Sequence, residues 1–185
     1  MSIKKNYCLI ISGSSGSGKT SVSKLLWKTL PNNPAYLSLD SLKHLPHGAV
    51  SNDHYLNLAR INALDITKNM LNSGHSVIVE KAFGSYKFVG PFIELSKSMG
   101  VDSAYFKLVA PLSVLIERVE ARRNLSLERK IEFGEWPFPM GDRNTAEEIY
   151  NFFERNQHSE GIEIDTSVFS VEEVAEIIRT HLSFK

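Results

Sequence analysis

The residues from Gly13 to Thr20, GSSGSGKT, follow the apolar run YCLIIS and precede a helical pattern. Their spacing is the Walker A pattern, Gly13-x-x-x-x-Gly18-Lys19-Thr20, in its strand–loop–helix setting. The residue types suit one task, holding a chain of phosphates. Glycines let the loop curl until successive backbone N–H groups point at phosphate oxygens. The following helix brings its positive dipole end to the same place. Lys19 reaches the β- and γ-phosphates, and the Thr20 hydroxyl is a ligand for Mg²⁺. Gly13, Ser14, Ser15, Gly16, Ser17, Gly18, Lys19, Thr20 and Ser21 are therefore the expected nucleotide contacts, with ATP and Mg²⁺ as cofactors. A Gly/Ser-rich linker shares the composition but does not sit between a strand and a helix.

A transferable phosphate needs an acceptor and groups that stabilise moving charge. Asp40 ends the second apolar strand, at the carboxyl edge where open α/β sheets bind ligands. It would serve equally as an N-cap for the segment SLKHL. Glu80 ends the third strand near the same edge, where it holds a Mg²⁺-bound water or contacts substrate, or else pairs with Lys81 or another basic residue. Arg118 and Arg122 are four residues apart and share a helix face, with Arg123 beside them. Such guanidinium groups stabilise charge spread over a transferring phosphoryl group; the alternative is a solvated face paired with Glu117 and Glu120. Arg143 is a further candidate, toward the adenine. Phe83, Tyr86 and Phe88 suit an acceptor pocket or the core. Trp136 and Phe138 would cover the site or simply pack. His44, His47 and His54 lack the partners that complete a zinc site, so substrate contact or plain surface suits them better.

The elements that must position these groups alternate as strand and helix, the rhythm of a parallel sheet with helices on both faces. Strands are expected at Tyr7–Ile11, Ala35–Leu39, Ser76–Glu80, Ala104–Val109 and Gly161–Asp165. The apolar runs of the first and third suit strands buried on both faces. Val22, Leu25, Leu26 and Leu30 recur at helical spacing after Lys19. Tyr55 to Leu71 is a long helical segment that stops near Gly74. Pro91 and Pro111 each suit the opening of a helix. Thr145 with Glu148, and Ser170 with Glu173, form capping boxes. Residues 124–144 carry Gly134, Pro137, Pro139 and Gly141 without a clean period and read as a mobile or irregular insert.

Composition narrows the partners. The chain has 185 residues, which suits one domain spanning 1–185. Lys plus Arg balance Asp plus Glu at 21 each, so nucleic acid and acidic membrane are not the expected partners. The single cysteine, Cys8, lies in an apolar run and suits a reducing compartment. The apolar stretch before Ser12 is too short for a signal-peptide core or membrane span, so a cytoplasmic location is expected.

Neither a guanine-reading Asn-Lys-x-Asp nor an Asp-x-x-Gly switch is present, and no ABC-type signature. A short chain with an acidic residue ending strand two suits a kinase. The chain resembles the P-loop kinases that include the chloramphenicol phosphotransferases and, more distantly, the zeta-toxin, gluconate and adenylylsulfate kinases. The resemblance rests on SGSSGSGKTSVSKLLWKTLPNNPAYLSLDSLKHLPHG, GHSVIVEKAFGS, AYFKLVAPLSVLIERVEARRN and EGIEIDTSVFSVEEVAEII. It departs at Glu80-Lys81, where such kinases often carry an aspartate, and over residues 124–144. It implies a three-layer P-loop NTPase fold of the nucleoside-kinase-like kind, a five-stranded parallel sheet flanked by helices. It also implies transfer of the ATP γ-phosphate to a hydroxyl of a small molecule, an antibiotic-like or metabolite alcohol. A nucleotide or nucleoside kinase is the alternative, for which Lys43, Arg60 and Lys87 would supply a basic acceptor pocket; a non-catalytic nucleotide-binding module is a third. By the resemblance, Asp40 is the base for the acceptor proton. Lys19, Arg118 and Arg122 complete the catalytic set, and residues 115–145 form a lid.

Overall fold

Strand β1 (Tyr7–Gly13) is the apolar run ahead of the phosphate loop, and every residue from Cys8 to Ile11 is fully buried. Helix α1 (Lys19–Thr29) starts inside the Walker A sequence. Then follow β2 (Ala35–Ser38), α2 (Leu39–Lys43), α3 (Asp53–Asn72), β3 (Val77–Glu80), α4 (Tyr86–Ser98), β4 (Asp102–Val109), α5 (Leu112–Phe133), α6 (Arg143–Arg155), β5 (Ile162–Asp165) and α7 (Val171–Ser183). The computed structural model describes residues 6–31, 33–43, 53–133, 143–156 and 159–183, with the backbone alone for 123–133, 143, 145 and 183.

The five strands pair in parallel in the order β2-β3-β1-β4-β5. The chain runs from β1 out to β2, returns through β3 beside β1, then crosses to β4. Connections therefore diverge at the carboxyl end of β1, which opens a crevice there. The register sets Ile11 and Ser38 on either side of Glu80. Alternate residues face opposite layers. Cys8, Ile10, Val77 and Val79 pack with Ala63, Leu71, Val89 and Phe92 of α3 and α4. Leu9, Ile11, Ile78 and Phe106 pack with Val22, Leu26, Val174 and Ile178 of α1 and α7. Each fully buried Val, Leu, Ile or Phe side chain among these contributes about 1.5–3 kcal/mol. Burial pushes the Cys8 thiol up to about 11, so it is an inert core residue.

Three expected boundaries are corrected. Helix α4 begins at Tyr86, not at Pro91, because Val89, Phe92 and Ser96 form its buried stripe and Ser85, in extended geometry, is its N-cap. Pro91 leaves the Lys87 carbonyl without its helical donor, but both residues are exposed and water reaches them. Helix α5 continues through 124–133, which had read as irregular. That stretch is rich in Leu, Glu, Arg and Lys, and the helix-breaking residues start only at Gly134. Residues 134–142, with Trp136 and Phe138, lie outside the described residues. Helix α6 begins two residues before Thr145, so the expected capping box falls within the helix. The Ser170–Glu173 box is formed: the Ser170 N–H donates to Glu173 Oε2 at 2.8 Å, and the Glu173 N–H to Ser170 Oγ at 3.2 Å. Among the described residues no helix is long and apolar enough to cross a membrane.

Candidate active site

The phosphate loop is locked against the adjacent strand β4 and against α5. A Cβ at Gly13 would strike Ser17 Oγ and the Leu108 carbonyl oxygen. At Gly16, where φ is +84°, a Cβ would stand 2.6 Å from the Leu115 carbonyl oxygen. Glycine alone permits that approach and that backbone angle. Lys19 is buried, with Nζ 3.5 Å from the Ser14 carbonyl oxygen. Burial lowers its pKa, while the Glu80 and Asp40 carboxylates push it back up.

Glu80 is 2% exposed and is held by two hydroxyls from neighbouring elements. Thr20 Oγ1 donates to its Oε1 at 3.0 Å, and the Tyr36 hydroxyl donates to its Oε2 at 2.6 Å. Burial and the adjacent carboxylate push the Tyr36 phenol up, so it remains a donor. The donor set fits Mg²⁺: the Thr20 proton is given to Glu80, which leaves the hydroxyl oxygen's lone pairs for a hard cation. The expected Glu80–Lys81 pairing is absent. Lys81 follows Glu80 at the strand end, where successive side chains point to opposite faces. Its Nζ instead pairs with Asp40 Oδ1.

Asp40 sits in the first turn of α2 rather than before the helix, so it is not the N-cap. Burial alone would raise its carboxyl, but the Lys81, Lys19 and Lys43 ammonium groups outweigh this and hold it below the usual carboxylate range. One sheet edge thus carries two small networks. Tyr36, Glu80 and Thr20 lie on the α1 side, and Lys81 and Asp40 on the other.

Arg118 and Arg122 have different surroundings. Arg118 Nη1 donates to the Gly16 carbonyl at 3.3 Å and to Thr166 Oγ1 at 2.9 Å, and Nη2 donates to the Thr166 carbonyl at 2.6 Å. It ties the phosphate loop to the turn between β5 and α7. Arg122, one turn on, is exposed. Both line a cavity of about 350 Å³ with Gly16 to Val22, Thr166, Phe169 and Val171. The side chains of Arg123 and Arg143 lie outside the described residues.

Phe83 is buried against Phe92, 5.8 Å between ring centroids, and it also lines a second cavity of about 340 Å³ with Ser14, Gly84, Tyr150 and Phe153. Ser12 Oγ fixes it by accepting the Phe83 N–H and donating to the Phe83 carbonyl. Tyr86 packs on Gly90, while Phe88 lies beneath the Arg60 guanidinium at 3.6 Å. Lys87 is exposed on α4. His54 stands edge-on to Tyr55, and His44 and His47 lie outside the described residues. Among the described residues no group of three or more His, Cys, Asp or Glu side chains is placed to hold a metal. Sequence reasoning missed Tyr36, which reads as an ordinary strand residue, and the Lys81–Asp40 pair, which depends on β2 and β3 lying side by side.

Three solved structures show this architecture. They are the tunicamycin resistance protein of Deinococcus radiodurans (22% identity, 96% of each chain covered, TM-score 0.64), a sugar kinase from Janibacter sp. HTCC2649 (15%, 97% of this chain and 95% of that one, 0.67), and the APS kinase CysC of Mycobacterium tuberculosis in complex with AMPPNP and APS (18%, 98% and 99%, 0.66). At these identities the likeness establishes the fold, that of the P-loop kinases. No curated protein matches the chain. Residues 2–181 match the Zeta toxin family, and the chain belongs to that family.

Proposed function

We propose that this chain is an ATP-dependent phosphotransferase whose acceptor is a hydroxyl of a small molecule. The observation that carries the reading is that the phosphate loop and Asp40 meet at one sheet edge: Thr20 donates to Glu80, and the next residue, Lys81, pairs with Asp40. Residues 13–21 would hold the triphosphate through backbone N–H groups, and Thr20, oriented by its hydrogen bond to Glu80, would hold Mg²⁺, which when bound would offset phosphate charge. Asp40 aligns the acceptor hydroxyl and takes its proton as that oxygen bonds to the γ-phosphorus and the bond to the ADP oxygen breaks. Lys19 and Arg122 stabilise charge on the transferring group. Arg118 keeps the loop in register with the β5–α7 turn.

An ATP-consumption screen tests the reading, with antibiotic alcohols, sugars, nucleosides and nucleotides as acceptors. Chloramphenicol and tunicamycin belong among the drugs, since one structural neighbour is a tunicamycin resistance protein. Acceptor-dependent turnover is expected with at least one alcohol. Lys19→Ala should lower it about 100-fold or more, a loss of about 3 kcal/mol of transition-state stabilisation. Nucleotide binding without acceptor-dependent turnover would instead favour a non-catalytic module.

A further inference from the structure

The second cavity, of about 340 Å³, has the size of a small-molecule pocket, and none of Lys19, Asp40 and Lys81 lines it. Phe106 and Leu108 pack toward α1 and α7, so Lys107 and Val109 face the other side of the sheet. Register completes the floor there: Lys107 lies opposite Glu163 and Val109 opposite Asp165. Tyr150, Phe153 and Glu154 line the cavity from α6, spaced three and four apart on one helix face. Where a Cβ on Gly84 would stand, the Phe152 ring rests, so glycine lets α6 come down onto the loop after β3. Phe83 in that loop is held by Ser12.

Two observations say what this cavity suits. The first is its charge. Its lining carries three carboxylates, Glu154, Glu163 and Asp165, and one ammonium, Lys107. Lys107 is buried and pairs with Glu163 at 2.8 Å. Asp165 Oδ1 accepts the Ser167 N–H at 2.8 Å and its hydroxyl at 2.6 Å, which hold the carboxyl below its usual range and therefore ionised. Whichever carboxylate Lys107 serves, the lining has negative charge to spare. The second is Ser14. It is 6% exposed and lines this cavity, not the one lined by Gly16 to Val22. Its carbonyl accepts from Lys19, but its hydroxyl has no partner among the described residues. A buried hydroxyl left so is a place for a polar ligand atom. A cation would gain charge-assisted hydrogen bonds here and the attraction of the Tyr150 and Phe153 rings. An apolar body would cover Phe83 and Val109, the latter 37% exposed.

We propose that this cavity binds a protonated organic amine with an apolar or aromatic body, its ammonium facing the carboxylates of Glu154 and Asp165 and its body against Phe83, Val109 and Phe153. Binding here does not depend on phosphotransfer.

Calorimetry on the full chain compares three probes of one shape: phenethylamine, 2-phenylethanol and phenylacetate. Saturable binding of one phenethylamine per chain is expected, with the neutral alcohol about tenfold weaker and the anion weaker still. Glu154→Gln and Asp165→Asn should each weaken the amine about fivefold and leave the alcohol within about twofold, a split that a merely structural change would not give. Ser14→Ala should weaken amine and alcohol alike, by about fivefold, the loss of one hydrogen bond. Glu154 is exposed on α6, so Glu154→Gln leaves the fold intact even where Asp165→Asn, which disturbs the Ser167 contacts, does not. No saturable binding of phenethylamine, or equal affinity for all three probes, overturns the proposal. So does amine binding that neither Glu154→Gln nor Asp165→Asn weakens, since the amine then sits elsewhere.

Discussion

The phosphate-loop side of the site and the Asp40 side meet at Glu80 and Lys81, yet they are built in opposite ways. The loop side comes largely from one contiguous stretch, Gly13 to Ser21, whose shape follows from glycine backbone freedom and the start of α1. Its carboxylate, Glu80, is already satisfied by Thr20 and Tyr36. The Asp40 side is assembled from α2 and the residue after β3, forty-one positions apart in sequence. It is richer in cations than in anions. A contiguous site keeps its chemistry wherever the loop forms. An assembled one depends on strand register, so it can be retuned by changing single residues. This difference predicts that substitutions on one side should leave the other side's ligand in place.

The largest separation is expected from Asp40→Asn. The amide retains the shape and one acceptor oxygen but cannot take a proton. On the acceptor found by screening, kcat should fall by about 100- to 10,000-fold, the range of general base catalysis. The nucleotide Kd should stay within about twofold, because Asp40 makes no contact with the loop's backbone donors. Calorimetry and steady-state rates measure the two quantities. Loss of nucleotide binding along with rate would break the comparison, since the sides would then be one unit. Unchanged kcat would reduce Asp40 to the ion pair with Lys81.

The same contrast governs what could be read from the sequence. The five strands fall within a residue or two of their expected ends, because each is a short apolar run bounded by turn residues. The strand–loop–helix setting of Gly13 to Thr20 was legible, since spacing alone carries it. From the sequence Asp40 falls at the end of the second strand, whereas that strand stops at Ser38 and Asp40 lies in the first turn of α2; its partner was not visible at all. Lys81 reaches Asp40 because β2 lies beside β3, with Ser38 opposite Glu80, and no local pattern encodes that neighbour. Tyr36 escaped for the same reason: its hydroxyl matters only once Glu80 is beside it. Arg118 and Arg122 share a face as their spacing implied, but whether each meets a carbonyl or a cavity is set by the β5–α7 turn, far along the chain.

A smaller effect should appear in the titration of Asp40. Its carboxyl is depressed because Lys81, with Lys19 and Lys43, outweighs burial. A depressed carboxyl stabilises the fold above its unfolded value, about 3.9, and that contribution is lost as pH falls through the lower folded value. Carbon NMR of the Asp40 carboxyl in the nucleotide-free protein should place its midpoint below the usual range. In Lys81→Met the midpoint should move upward, and the acid limb of stability with it. Lys81→Arg should hold it near wild type. If removing Lys81 leaves the midpoint unmoved, the ion pair is not what sets the charge of Asp40, and the Asp40 side loses its coupling to β3.

The smallest effect sharpens the comparison from the loop side. Tyr36→Phe deletes one hydroxyl and retains the ring that packs 6.0 Å from Trp27. Glu80, 2% exposed, then retains Thr20 as its hydroxyl donor in place of two. A buried acceptor left short of a partner costs about 1–3 kcal/mol, so the melting midpoint should drop. Only part of that cost reaches Thr20, whose hydroxyl loses a fixed partner rather than its contact. Nucleotide affinity in Mg²⁺ should therefore weaken by about fivefold, roughly 1 kcal/mol. Affinity without Mg²⁺ should barely change, because the backbone donors of the loop are untouched. The Asp40 titration should also stay at its wild-type midpoint, since Tyr36 approaches Glu80 from the face of β3 opposite Lys81. An equal loss with and without Mg²⁺ would mean that Tyr36 supports the fold of the strand and not the orientation of Thr20. A shifted Asp40 midpoint would mean that the two faces of β3 communicate, and the division between them would have to be redrawn.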